Sequence, residues 1–456
     1  MIVSHPSYDR LLMGSPLRRS GVCLVICAAL LVLLALAFLV HLTLLAGMRS
    51  DVASVFYRAL ALSSVFAAVP LTVLWFLDRR ERENPWLFAA AFLWGAFIAT
   101  ALALPFNTVF FQIVDAWVAQ HPVVKRLLGP DAAMMLAAPI SAPIAEEIAK
   151  ALGVLLLFWL LRAEFDNMRD GIIYGALVGL GFNWFEAALY VAQGYAEYGV
   201  APYGAQFGSR YALFGLGGHA LFTGIFGASL GLAIQTRRRW IRILAPIAGL
   251  VLAIAAHMLN NALPLLVTLA GAAAGMPPPE HEPPPDTGFL ENFVGDTLTQ
   301  LVIFLPFFLI MALAVWRSGV WERRVIREEL AEEVGRTVST GEYHDIVGDR
   351  ILRTRRIDPA RPRASAALVN AQHELAFRKR RVRDEGKDPE RDHLAAGPSD
   401  VAGVLSGTAA HRLQIEVEMA VRLELVCRPR KRRRLAQPAD VGGIDADVHE
   451  APAAAA

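Results

Sequence analysis

Two adjacent carboxylates and a lysine, Glu146, Glu147 and Lys150, stand inside an apolar run from about 132 to 161. A run of that length crosses a hydrocarbon core of about 30 Å as a helix. Ionisable groups at mid-span each cost about 2.5–3.5 kcal/mol on insertion scales, so those retained usually serve a task and face the bundle interior. Lys150 lies four residues from Glu146 and three from Glu147, so on a helix it reaches either acid but hardly both in one geometry. Further polar pairs sit at helical spacing in later apolar runs: Asn183 with Glu186, His219 with Thr223, and His257 with Asn261. Counted inward from the ends of their runs, Glu147, Glu186, His219 and His257 all fall between the midplane and the outer leaflet, and so are expected to converge on one cavity.

Those residue types suit hydrolysis. A carboxylate in a dry cavity can take a proton from water and return it to a leaving amine, and two neighbouring acids can divide the roles. In this reading Glu147 activates the water, while Glu146, with Lys150, protonates the leaving group. His219, His257 and Asn261 could stabilise an oxyanion, with Glu186 orienting a histidine. Alternatively, Glu147, His219 and His257 form a His₂Glu set able to hold a divalent metal such as zinc. Spacing leaves the metal-free and zinc-assisted chemistries both open, because the ligands come from different helices. Blander readings exist for several positions. Thr223 is expected to bond its own backbone carbonyl, Asn183 and Asn260 to bridge helices, and Arg79, Arg80 and Arg82 to set topology.

The elements that must position these groups form an all-α, polytopic bundle. The chain is 55% hydrophobic and 19% charged, with a mean hydropathy of +0.42, and spanning-length apolar runs recur along it. About eight transmembrane helices are predicted, over 21–47, 56–77, 86–114, 132–161, 171–193, 211–235, 240–270 and 293–316. Arginines cluster in the loops on one side (Arg79, Arg80 and Arg82; Arg162 and Arg169; 237–239 and Arg242), which places both termini in the cytoplasm. The domain division is a cytoplasmic segment 1–20, a transmembrane catalytic domain 21–316, charged cytoplasmic helices 317–357, and a low-complexity tail 358–456 expected to be disordered. A basic run at 428–434 reads as lipid-facing rather than nucleic-acid-binding. Cys23 and Cys27, four apart on the first helix, are expected to be packing residues. Gly175, Gly179 and Gly181, with Gly224, Gly227 and Gly231, form small-residue faces for close helix contact. Asp166, Asp170 and Gly171 read as the turn and cap that open the fifth span.

Several stretches taken together resemble the PrsW intramembrane proteases: Asp78-Arg-Arg-Glu-Arg-Glu-Asn-Pro85, Ala142-Pro-Ile-Ala-Glu-Glu-Ile-Ala-Lys150, Glu164-Phe-Asp-Asn-Met-Arg-Asp-Gly-Ile-Ile-Tyr-Gly175, Gly181-Phe-Asn-Trp-Phe-Glu186, Gly218-His-Ala-Leu-Phe-Thr223 and His257-Met-Leu-Asn-Asn261. The resemblance covers about residues 50–270, in order. It implies a bacterial inner-membrane endopeptidase, glutamic or metallo-type, that cuts a membrane-anchored regulatory protein such as an anti-sigma factor near its extracytoplasmic boundary. It implies Glu146 and Glu147 as the catalytic pair, Lys150 as the motif's basic position, and Glu186, His219, His257 and Asn261 as its remaining polar positions. Where many members end the fifth-span motif in Glu-Asn, this chain has Glu186-Ala187, and Asn183 lies one turn earlier. Partners on this reading are the lipid bilayer and a membrane-anchored protein substrate, with no nucleic acid. Two alternatives stand beside it: a CAAX-like membrane peptidase, and a proton-coupled transporter using the Glu/Lys/His cluster. The sequence shows no inverted repeat of broken helices that would favour the transporter.

Overall fold

The computed structural model describes residues 15–80, 84–161, 165, 167–278, 288–335, 338–348 and 362–384. The elements are α1 (Ser20–Ala46), α2 (Ser50–Leu77), α3 (Pro85–Ala119), α4 (Pro122–Leu128), α5 (Ala132–Leu160), α6 (Met168–Tyr198), α7 (Tyr203–Gly215), α8 (His219–Gln235), α9 (Arg239–Ala273), α10 (Phe289–Ala331), α11 (Thr340–Val347) and α12 (Pro362–Asp384). Among the described residues, seven stretches are long and apolar enough to cross a membrane: α1, α2, α3, α6, α7 with α8, α9 and α10. Helix α5, 29 residues long and carrying Glu146, Glu147 and Lys150, fills the eighth predicted place. It runs unbroken through Pro139 and Pro143.

Helix α6 is the axis of the bundle, enclosed along most of its length. Glycines on two of its faces make this possible. A Cβ on Gly171 would lie 2.0 Å from the Gly227 carbonyl oxygen, and one on Gly227 would lie 1.9 Å from the Gly171 oxygen. These backbones pack at a distance that any side chain would forbid. On the opposite face Gly181 meets the Phe92 carbonyl of α3 in the same way. A π-helical turn at Trp94–Ala99 adjoins this contact, and the Trp94 indole donates to the Ala149 carbonyl of α5 at 3.0 Å. Helix α1 lies outside, almost wholly lipid-facing, with His41 bonded to Thr100 of α3 at 3.1 Å. Cys27 is exposed there, so the predicted packing role of the Cys23–Cys27 pair does not hold for it.

Four sequence expectations change. The predicted helix over 211–235 is broken. Tyr211 to Phe214 leave helical geometry, Leu213 and Phe214 adopt φ of 50° and 59°, and Gly215 and Gly218 also have positive φ. Such φ values cost a non-glycine residue about 1–3 kcal/mol, and hold only where the surroundings enforce them. Helix α8 therefore begins at His219, inside the protein, rather than some eight residues earlier. The cap of α6 is Asn167, closing a capping box with Asp170, rather than Asp166, which lies outside the described residues. Helix α10 continues into the charged segment predicted to begin at 317 as one helix to Ala331. Finally, Pro362–Asp384 is helical although 358–456 is expected to be disordered, because one face of it finds a partner. Val369, Ala376 and Phe377 of α12 pack on Val325, Ile326 and Leu330 of α10.

Ion pairs surround that contact: Lys379 with Glu333 at 2.6 Å, Arg380 with Glu328 at 3.0 Å, and Arg237 with Asp384. Desolvation pushes the Glu332 carboxyl up, but the Lys379 ammonium and Arg383 guanidinium outweigh it and hold the group below its usual range. Most of segment 1–20, residues 279–287 and the basic run at 428–434 lie outside the described residues.

The α6–α8 contact makes a direct prediction. Gly227→Val should lower the melting temperature of the detergent-solubilised protein by an amount corresponding to at least about 1–3 kcal/mol. Gly295→Val, where a Cβ meets nothing within 4 Å, should leave it unchanged.

Candidate active site

The broken α7–α8 segment delivers His219 to the centre of the bundle, and Asn183 on α6 secures the break. Its Oδ1 accepts from the His219 backbone N–H at 3.2 Å, and its Nδ2 donates to the Arg210 and Gly217 carbonyls at 3.3 and 3.1 Å. One amide side chain thus meets three backbone groups around the break, where irregular backbone at membrane depth needs partners. The amide expected to bridge helices serves the broken one.

Around His219 the predicted residues converge from four helices. Lys150, fully buried, donates to Glu147 Oε1 at 2.8 Å, to Glu146 Oε2 at 3.4 Å and to His219 Nδ1 at 2.7 Å. It therefore reaches both acids together, contrary to the expectation from spacing, because its ammonium sits between the two carboxylates. The Phe182 ring lies 3.8 Å from that ammonium and covers it. Glu147 also accepts from Thr223 Oγ1 at 2.9 Å and pairs with His257 Nδ1 at 3.1 Å. Thr223 thus bonds a carboxylate across the interface rather than its own backbone. His219 Nε2 meets Glu186 Oε2 at 2.7 Å, and the Arg210 guanidinium holds that same oxygen through Nε and Nη2 at 3.1 and 3.0 Å. Such a polar chain, from Arg210 through Glu186, His219, Lys150 and Glu147 to His257, is tolerable in a dry interior only because each member has partners.

Asn261 is the predicted residue that the structure leaves outside this cluster. Its Nδ2 donates to the Ala138 carbonyl of α5 at 3.2 Å, and its Oδ1 accepts from Asn260, which in turn accepts from Gln300 at 2.8 Å. It braces α9 against α5. Two residues join the site unpredicted. Asn107 of α3 donates to Glu146 Oε1 at 3.1 Å, and Arg210 pairs with Glu186. For Asn107 a signal was available, an amide inside an apolar run. Arg210 carries none, because along the chain it is one more loop arginine.

The expected metal set of Glu147, His219 and His257 changes as well. One ligand atom each of Glu146, His219 and His257 lie within 4.8 Å of one another. Both nitrogens of His219 are engaged, however, Nδ1 by Lys150 and Nε2 by Glu186. The Lys150 ammonium already supplies the positive charge between the acids. In this arrangement the donor set does not fit a metal ion.

Fold and site together define a polytopic membrane protein with a buried carboxylate–histidine–lysine centre. Residues 83–283 match the family model of the PrsW family intramembrane metalloproteases. The Protease PrsW of Geobacillus kaustophilus (strain HTA426) is 30% identical over 174 residues, which are 38% of this chain and 66% of that protein. The aligned part thus stops just short of two thirds of that relative's length. No solved structure matches. Over these residues the chain is similar to the PrsW proteases.

Asn183→Leu would remove the side-chain partner of the His219 N–H and of two carbonyls in the bundle interior. A loss of stability of about 1–3 kcal/mol per unpaired group is expected, read as a lowered melting temperature in detergent.

Proposed function

We propose that this protein is an intramembrane endopeptidase of the bacterial cytoplasmic membrane, with both termini cytoplasmic, hydrolysing a peptide bond in a membrane-anchored regulatory protein such as an anti-sigma factor. The observation that carries this reading is the unequal engagement of the two acids. Glu147 has three partners, Lys150, Thr223 and His257, spread over both its oxygens, so it is fixed and saturated. Glu146 has its short bond only from Asn107, on Oε1, while Oε2 takes a longer one from Lys150 at 3.4 Å and faces His219 Nε2 at 3.9 Å and His257 Nε2 at 4.0 Å. Glu146, rather than Glu147, is therefore the acid free to act as a base.

In the mechanism, Glu146 takes a proton from a water molecule as the water oxygen attacks the scissile carbonyl. The carbonyl becomes an oxyanion, and the proton on Glu146 passes to the departing amine as the C–N bond breaks. Glu147 holds the Nδ1 side of His257 and the Lys150 ammonium, which leaves His257 Nε2 facing the reaction space. The Arg210–Glu186 pair orients His219.

Depth supports a cut near the outer boundary. Glu147 stands 13 residues from the cytoplasmic-side end of α5, His219 16 from that of α8, and Glu186 and His257 each 18 from those of α6 and α9. At 1.5 Å per residue these are about 20–27 Å into a core of about 30 Å. A proton-coupled transporter built on repeats would call for paired broken helices. Among the described residues only the α7–α8 segment breaks off its helix in this way.

Cleavage of a single-pass anti-sigma-factor library in proteoliposomes tests the reading. Glu146→Gln should lose at least about 10²-fold in rate with folded protein retained, and the wild-type cut should map to the outer half of the substrate helix. Equal cutting by both proteins would remove Glu146 from the chemistry. Chelation should leave the wild-type rate within about twofold; abolition by a chelator with recovery on added zinc would instead establish a metal centre.

A further inference from the structure

Asn107 lies on α3, in the apolar run of that helix, and is the one short hydrogen-bond donor to Glu146 among the described residues. Its amide nitrogen points to Glu146 Oε1 at 3.1 Å, which fixes the orientation of the group, since a carboxylate oxygen accepts and only the NH₂ end donates. The other end, Oδ1, is buried and has no hydrogen-bond partner among the described residues. An unpaired buried acceptor costs about 1–3 kcal/mol. A leucine of similar size would avoid that cost in an apolar helix, and the purely structural tie from α3 to α5 does not need the oxygen. The vacant acceptor adjoins the carboxylate assigned as the base, so the group it awaits is a donor that belongs at the reaction centre.

We propose that Asn107 is a catalytic residue that holds the attacking water. The inference rests on the reading of Glu146 as the base. A water has two O–H bonds. One is directed to Glu146, which takes that proton; the other is directed to Asn107 Oδ1 and stays intact. The lone pair of the water oxygen is then left facing the substrate carbonyl. As the new C–O bond forms, the Glu146-bound O–H bond breaks, and the same proton later goes to the leaving amine, so no proton rests on Asn107. Its NH₂ end meanwhile keeps Glu146 Oε1 from rotating away. The amide thereby orders both reactants of the proton transfer, the contribution that positioning makes to catalysis.

The test is a kcat and KM comparison in proteoliposomes, using wild type, Asn107→Leu, Asn107→Ala and Glu146→Gln, each with its melting temperature. Asn107→Leu removes both polar ends at nearly constant volume. It should lower kcat by about 10- to 100-fold, with KM and melting temperature little changed. Asn107→Ala leaves room for another water to replace the amide oxygen and should recover several-fold of the Leu variant's loss, although its smaller side chain packs worse. A mere tether predicts the reverse order, with Ala the worse variant and activity following the melting temperature. That order would overturn the proposal, as would wild-type kcat in Asn107→Leu or a rise in KM alone, which would mark contact with the substrate backbone instead. Wild-type cleavage by Glu146→Gln would bring down the underlying reading of the base, whatever the Asn107 variants do.

Discussion

The Lys150 ammonium is the interaction on which the structure depends. A charge that is fully buried at mid-depth must be matched at once, and Lys150 is matched by Glu146, Glu147, His219 Nδ1 and the face of Phe182. Those partners come from α5, α8 and α6, so the requirement to satisfy one cation draws three helices to a single point. Removing one partner from such a set leaves an uncompensated charge, worth about 3–5 kcal/mol. The same arrangement makes the two acids unequal, because the ammonium and its neighbours saturate Glu147 and leave Glu146 comparatively free. Stability and chemistry here share a cause.

Bringing α8 to that point requires a departure from regular helix. A straight span over 211–235 would carry His219 in mid-helix; the break instead makes it the first residue of α8. Its backbone N–H, which a helix start leaves unpaired, is taken up by Asn183. The positive partial charge at the start of α8 lies beside Glu186 and Glu147, a favourable placement for carboxylates. Helix contact through Gly171 and Gly227 then brings α8 within reach of α6, so that His219 and Glu186 meet at 2.7 Å. The ends of these helices away from the site are tied separately. Arg169 of α6 pairs with Glu322 of α10 at 2.7 Å, and Ser318 donates to the cap residue Asn167.

The membrane class, the order of the apolar spans, the glycine faces and most of the residues that meet at the candidate site are legible along the chain. Each of these is local: hydropathy over a window, spacing along one helix, or a charge whose cost in lipid implies a function. Glu146, Glu147, Lys150, Glu186, His219 and His257 could be singled out because an ionisable residue in an apolar run is conspicuous on its own. Tertiary structure decided what depends on distance between helices. It chose Glu146 over Glu147 as the freer acid, gave Lys150 both carboxylates, turned Thr223 to Glu147, and moved Asn261 out of the site to brace α9 against α5. It added Asn107 and Arg210, which sequence distance separates from their partners by 39 and 24 residues. It also broke the sixth span, whose glycines and aromatics read as an ordinary helix until Asn183, on another helix, offers its backbone the partners that the break requires.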